Sequence, residues 1–334
     1  MGGDKAPGII IQGLAIAAQR YPSVHFLLYG EKKAILPLLE KEKGLTDRVT
    51  FIPCEDVITP DTKPSAALRS LPNSSMRQAI LSVAEGRAQG VVSAGNTGAY
   101  MALAKMLLKT MPGIDRPALA SLAPTLRGEI VFLDLGANVE CSSKNLQQFA
   151  IMGETFARLV LHLPKPKVGL INVGSEDIKG NTIVREAADL IRASSIQNNF
   201  YGYIEGDDIM RGTVDVVVMD GFTGNVVLKA GEGVMHLALQ YIKEAFKSSW
   251  MARLGYFLAS PMLKKLAFRL DYRRYNGGIW LGLNGIAIKS HGGTDALGFA
   301  HAIDLAVDMM TSHVNEHLLK EFATESPLQK VANK

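Results

Sequence analysis

Five apolar runs, each ending in a segment dense in glycine, asparagine and serine, constrain this chain more than any other feature. They are VVSAGNTG (91–98), VFLDLGAN (131–138), GLINVGSEDIKGN (169–181), VVVMDGFTGN (216–225) and GIAIKSHGG (285–293). Short continuous runs of Val, Ile and Leu are the pattern of strands buried on both faces, which belong in a parallel sheet with helices above and below. Between and around them, residues 8–20, 31–43, 74–86, 97–110, 145–163, 181–193 and 226–246 read as helices, with further strands at 24–29 and 49–53. The alternation predicts an α/β fold, a doubly wound three-layer α/β/α sandwich. No repeat, low-complexity segment or clean linker divides the chain, so a single two-lobed domain over 1–334 is expected.

Ligands of open α/β sheets collect outside the carboxyl ends of parallel strands, so five glycine-rich strand ends predict one shared crevice. In the first, Gly95 and Gly98 allow close backbone approach. Ser93, Asn96 and Thr97 add short polar groups beside helix N-terminal amides, a geometry that suits phosphate. The same residues also fit a loop that only closes a tight strand-to-helix turn. Lys179 and Asn225, in SEDIKGN and DGFTGN, are the first choice for catalysis. An ammonium holds phosphate or neutralises developing charge, and an amide donates to a carbonyl oxygen as it becomes an oxyanion. Read alone, each also fits a plainer role, a solvated loop lysine and a helix cap. Glu176 and Asp220 either orient this pair or cap turns. Asn138 and Gly224 join the candidate substrate-binding set, and His291 suits either acid–base chemistry or a structural hydrogen bond. Asp134, closing an otherwise apolar strand, reads as a turn or site residue and not as core.

Composition narrows the chemistry. With 47% hydrophobic and 20% charged residues the chain is not of the disordered class. No apolar run reaches the roughly 18 residues of a membrane span. The two cysteines, Cys54 and Cys141, lack CxxC spacing, and the seven histidines include no HxxxH or HExxH pair, so no metal site is expected. A G-x-S-x-G elbow and a G-x-G-x-x-G turn with its ribose-binding acid are also absent. The expectation is therefore no covalent acyl-enzyme, no nicotinamide and no other cofactor. A net charge of +4 without a basic and aromatic RNA motif gives no case for nucleic acid. The opening Met-Gly-Gly-Asp carries no basic and apolar leader, which suggests a cytoplasmic protein with reduced thiols.

One stretch stands apart. Between residues 245 and 270 there is no acidic side chain, while Lys247, Arg253, Lys264, Lys265 and Arg269 alternate with Trp250, Leu254, Phe257, Leu258 and Leu266. Ser260-Pro261 is expected to split it into two short amphipathic helices, a basic hairpin inserted at 248–274. Such a hairpin fits a contact with a dimer partner, and equally a membrane surface or an acidic partner. Residues 60–73, with three prolines, Lys63 and Arg69, read as a positively charged surface loop. A last helix is expected from 295 to 319, and a polar, frayed tail from Thr324.

Nine segments, in order, resemble one family: MGGDKAP (1–7), KPSAALR (63–69), SSMRQAI (74–80), SAGNTGA (93–99), GIDRPA (113–118), DLGAN (134–138), NVGSEDIKGN (172–181), DGFTGN (220–225) and NGIAIKSHG (284–292). The chain is similar, nearly end to end, to the bacterial phosphate acyltransferases called PlsX. The resemblance implies a homodimer with a fold like isocitrate dehydrogenase and phosphotransacetylase. It implies the reaction of acyl carrier protein thioester with inorganic phosphate to give acyl phosphate and free carrier protein, at the entry to phospholipid synthesis. The family's important lysine and asparagine fall on Lys179 and Asn225. Arg253, Leu254, Leu258, Lys264, Lys265 and Arg269 become candidates for contact with an anionic membrane or the carrier protein. Peripheral association with the inner face of the cell membrane and a downstream membrane acyltransferase complete the expected setting. Family members place a short strand before Met-Gly-Gly-Asp, where this chain begins, which would put Asp4 at that strand's end. Two other readings stand beside it: a phosphotransacetylase-like transferase using acyl-coenzyme A, and a non-catalytic adaptor between carrier protein and membrane.

Overall fold

In the computed structural model, which describes residues 1–325, the apolar runs become strands whose alternate side chains feed two helical layers. The strands are β1 (Phe26–Gly30), β2 (Val49–Pro53), β3 (Gly90–Ser93), β4 (Ala118–Pro124), β5 (Glu129–Leu133), β6 (Val168–Ile171), β7 (Phe200–Ile204), β8 (Val216–Val218), β9 (Gly278–Leu281) and β10 (Ile286–Lys289). Between them run α1 (Gly8–Arg20), α2 (Lys32–Leu39), α3 (Pro64–Ser70), α4 (Ser75–Ala84), α5 (Thr97–Leu108), α6 (Ser143–Val160), α7 (Thr182–Arg192), α8 (Gly206–Arg211), α9 (Gly221–Lys247), α10 (Trp250–Arg269), α11 (Ala296–Thr311) and α12 (Val314–Glu325). Val131 and Leu133 of β5, Val216 and Val218 of β8, and Ile286 and Ile288 of β10 share a core with Phe149 and Phe156 of α6, Met309 of α11 and Leu318 of α12. Ile130, Phe132 and Val217 point the other way, onto Ile209 of α8, while Trp280 and Ala287 meet Tyr100 and Leu103 of α5. The sheet is thus the middle layer of an α/β/α sandwich.

The order of the large sheet is β3-β10-β9-β4-β5-β8-β6-β7. β3 and β10 are parallel, with Ser93 beside Lys289. The next three pairs, β10–β9, β9–β4 and β4–β5, are antiparallel, and β5, β8, β6 and β7 are parallel to one another. Three reversals in a row leave β5, β8, β6 and β7 running against β3 and β10. The five glycine-rich ends therefore do not share one crevice. Those after β5, β6 and β8 lie on one edge of the sheet, and those after β3 and β10 lie on the other. Two strands, β9 and β4, lie between the parallel sets and reverse the direction, and β4, Ala-Leu-Ala-Ser-Leu-Ala-Pro, has no β-branched residue and so little strand signal of its own. β1 and β2 form a separate two-stranded parallel sheet, and a slot lined by Leu27, Leu28 and Tyr29 on one side and Val92, Ser93 and Ala94 on the other lies between β1 and β3.

Several boundaries depart from the sequence reading. Residues 60–73 are not a plain loop: α3 forms there, with Pro64 in its first turn, where the missing N–H costs nothing. The basic stretch is not two short helices. α10 runs unbroken through Pro261, at the cost of the bond that the Phe257 carbonyl would have received, on a face exposed to solvent. The hairpin is instead α9 against α10, with the rings of Phe246 and Tyr256 5.4 Å apart and Ser249 capping α10 through the Ala252 amide. Only Gly221 and Gly224 of α9 are buried, so most of this helix stands away from the body. The expected final helix is two, α11 and α12, divided at His313, which takes φ of 50°. Of the tail from Thr324, all but Thr324 and Glu325 lies outside the described residues. Among the described residues no helix is long and apolar enough to cross a membrane.

Candidate functional site

The edge at which β5, β8 and β6 end is built on a buried carboxylate. Asp134, directly after β5, is fully buried and accepts from the amides of Leu119 (3.0 Å), Ala137 (3.0 Å) and Asn138 (2.8 Å) and from the Asn138 side chain (2.8 Å). Burial pushes its carboxyl above the usual range, against four donors that favour the carboxylate. The buried Asn138 amide also donates to the Pro117 carbonyl at 2.8 Å. Asn138 is therefore part of the floor and has no donor left for a substrate.

The first turn of α9 sits on that floor. The Gly221 amide donates to the Asn138 carbonyl at 2.7 Å, and a Cβ on Gly221 would stand 2.8 Å from the same oxygen. Gly224 has no room for a Cβ against the Asp134 carbonyl. Asp220 is the helix cap, accepting from the Thr223 amide (2.9 Å) and hydroxyl (2.8 Å). Asn225 is not a cap: it stands on the exposed face beside Gly136, and among the described residues its amide has no hydrogen-bond partner. Gly224 serves by its smallness, bringing helix and floor together.

The loop after β6 carries Lys179. Its carbonyl is held by the Asn172 side chain (3.2 Å), its amide by the Glu176 carbonyl (3.0 Å), and Asn181 caps α7 through the Val184 amide (2.9 Å). The ammonium is exposed and lies 3.4 Å from Glu176, whose carboxyl its own backbone amide and Lys179 hold below the usual range. β6 and β8 are neighbours, with Leu170 beside Val218, so Lys179 and Asn225 rise from adjacent strand ends. A cation and a free amide over a rigid floor can bind an anion and polarise a carbonyl.

The opposite edge, after β3 and β10, is a different place. Ser93 accepts from the Gly95 amide at 3.2 Å. Asn96 caps α5 through Ala99 (3.0 Å) and donates to the carbonyls of Thr59, Pro60 and Thr62. Gly95 is packed under Gly2 and against Met76. Only Thr97 and Gly98 of this loop are exposed, and His291 binds the Gly293 amide at 3.2 Å through Nδ1. These residues do not meet Lys179 and Asn225 within the chain. A residue that the sequence reading passes over is Lys289, 9% exposed, whose ammonium donates to the Ser290 carbonyl. Burial lowers its pKa to about 8, with Asp4 acting in the opposite sense. Its signal was a lone charge closing the apolar run GIAIK.

The model of the family described as "Fatty acid synthesis protein" matches residues 1–317. A phosphate acyltransferase of Acidiphilium cryptum is 52% identical over 333 residues, spanning 100% of this chain and 87% of that protein. One from Rhodospirillum centenum is 54% identical over 323 residues, 97% of this chain and 91% of its own length. Among solved structures, a phosphotransacetylase from Streptococcus pyogenes superposes with a TM-score of 0.60 at 18% identity, covering 91% of each chain. A branched-chain phosphotransacylase from Enterococcus faecalis gives 0.54 at 13% identity, covering 92% of this chain and 97% of that one. At such identities the structural likeness carries the fold alone, the three-layer sandwich.

Proposed function

The chain belongs to the fatty acid synthesis protein family, and from that premise we propose that it is a phosphate acyltransferase of phospholipid synthesis. The observation that supports the reading is that Lys179 and Asn225, both exposed, belong to the segments that follow the adjacent strands β6 and β8. The acyl donor in this reading is the thioester of acyl carrier protein. A phosphate oxygen attacks the thioester carbonyl carbon, the carbon–sulfur bond breaks, and the proton of hydrogenphosphate ends on the departing thiol. Asn225 donates to the carbonyl oxygen as it gains charge, and Lys179, steadied by Glu176, holds phosphate and offsets its charge. Phosphate is already anionic at neutral pH, so positioning supplies most of what a general base would otherwise provide.

The finer setting is a homodimer that touches an anionic membrane peripherally and hands its product to a membrane acyltransferase. What supports it is the α9–α10 hairpin, where Leu254, Phe257 and Leu258 are exposed beside Arg253, Lys264 and Lys265. An acidic carrier protein suits the same basic residues. The test is mass spectrometry of products after incubation with phosphate and either a long-chain carrier-protein thioester or acetyl-coenzyme A. Acyl phosphate from the former is expected. A strong preference for acetyl-coenzyme A transfers the case to a phosphotransacetylase-like activity, and thioester loss that does not need phosphate to a hydrolase.

A further inference from the structure

Four large, exposed apolar side chains lie on the two segments that carry the polar pair. Val173 and Ile178 are 75% and 84% exposed, Phe222 and Val226 63% and 51%. Single exposed apolar residues need no explanation, but these four lie on the loop after β6 and the first turns of α9 after β8, the segments that carry Lys179 and Asn225. Phe222 precedes Asn225 by three positions and Val226 by four, so the three share one face of the helix, turned away from the floor under Gly221 and Gly224. Ile178 adjoins Lys179 in sequence, and Val173 opens the same loop.

We infer that Val173, Ile178, Phe222 and Val226 form a rail on which the acyl chain of the donor lies, and that this rail sets the chain-length preference. The inference rests on the proposed function. A thioester carbonyl held between Lys179 and Asn225 has its chain attached one bond away, so the first methylenes must cross the surface beside the pair. That surface is apolar, and each methylene fully withdrawn from water strengthens binding by up to about fourfold. Binding energy gathered along the chain then positions the carbonyl for attack, so donors too short to reach the rail react poorly.

The experiment compares butyryl and palmitoyl carrier-protein thioesters with phosphate, reading acyl phosphate. In the double variant Ile178→Ser, Phe222→Ser the ratio of kcat/KM for palmitoyl over butyryl donor is expected to fall about tenfold, through KM for the palmitoyl donor. Phe222→Leu, which keeps the apolar surface, is expected to retain most of the parent's ratio and shows that folding is not the cause. A ratio unchanged within about twofold, or equal losses for both donors, overturns the rail. So does a halved mass of the double variant in sedimentation, which would assign this face to a second copy of the chain. A parent protein that forms no acyl phosphate from either donor overturns the proposed function itself, a result read before any variant is made.

Discussion

Gly224 packs against the carbonyl oxygen of Asp134 so closely that no Cβ fits between them. One residue thereby sets where α9 begins and how Asn225 is presented, because the floor at Asp134 is pinned by four donors and cannot yield easily. Gly224→Ala is expected to force helix and floor apart. Overpacking of this kind costs about 1–3 kcal/mol, seen as a lower urea midpoint at unchanged slope. Turnover should fall more steeply than stability, since Asn225 sits one residue on. A variant as stable and as active as the parent would show that the contact is loose in solution.

The five strand ends and most helices were legible because buried parallel strands and amphipathic helices have strong periodic signals. The single crevice was not. Its failure traces to β9 and β4, the two strands between the parallel sets, of which β4, rich in alanine, has little strand propensity; the three successive antiparallel pairings that they make turn half the sheet over. Lys179 and Asn225 stand out in the sequence by their glycine-flanked loops, and the strands that precede those loops, β6 and β8, are neighbours. Ser93, Gly95 and Asn96 carry the same loop chemistry, yet their groups are spent on their own turn and on the carbonyls of 59–62. Sequence spacing identifies a turn rich in donors, and only the packing tells which donors remain unused. Pro261 misled in the opposite direction, since one missing amide on an exposed helix face does not outweigh the bonds on either side.

Lys289 makes stability depend on pH in a predictable sense. Its folded pKa, about 8, lies below the ordinary 10.5, so between these values the unfolded chain binds a proton that the folded chain does not. Stability should therefore rise from about pH 8 toward 10.5, by up to about 1.4 kcal/mol per pH unit from this group, and that gain is lost as pH falls through 8. Lys289→Met keeps the buried stem and removes the titration. The difference in urea stability between parent and variant should climb in favour of the parent across that window. A difference that is flat with pH would mean that the ammonium is solvated.

Leu254 and Leu258 lie four residues apart on α10 and so share a face, and both are exposed. If that face rests on lipid, replacing both by Glu removes apolar contact and adds repulsion from anionic headgroups. Sedimentation with phosphatidylglycerol vesicles should be lost, while turnover of soluble substrate persists because the hairpin extends from α9 well beyond Asn225. Vesicle binding equal to that of the parent would leave this face to another partner.

The strongest prediction concerns the pair itself. Lys179 forms only an exposed ion pair with Glu176, and Asn225 has no partner among the described residues, so neither contributes much to the fold. Lys179→Ala and Asn225→Ala should keep the circular dichroism and urea midpoint of the parent within about 0.5 kcal/mol. Activity should behave quite differently. An amide that donates only to the charged oxygen of the transition state is worth about 10²- to 10³-fold in kcat, with little change in KM for the thioester. A lysine that holds phosphate before and during attack should appear in KM for phosphate as well as in kcat. Lys179→Arg separates charge from shape: a planar, longer cation keeps the attraction but not the position, so phosphate binding should return further than turnover. If Asn225→Ala turned over within about threefold of the parent, the oxyanion would have to be stabilised from elsewhere.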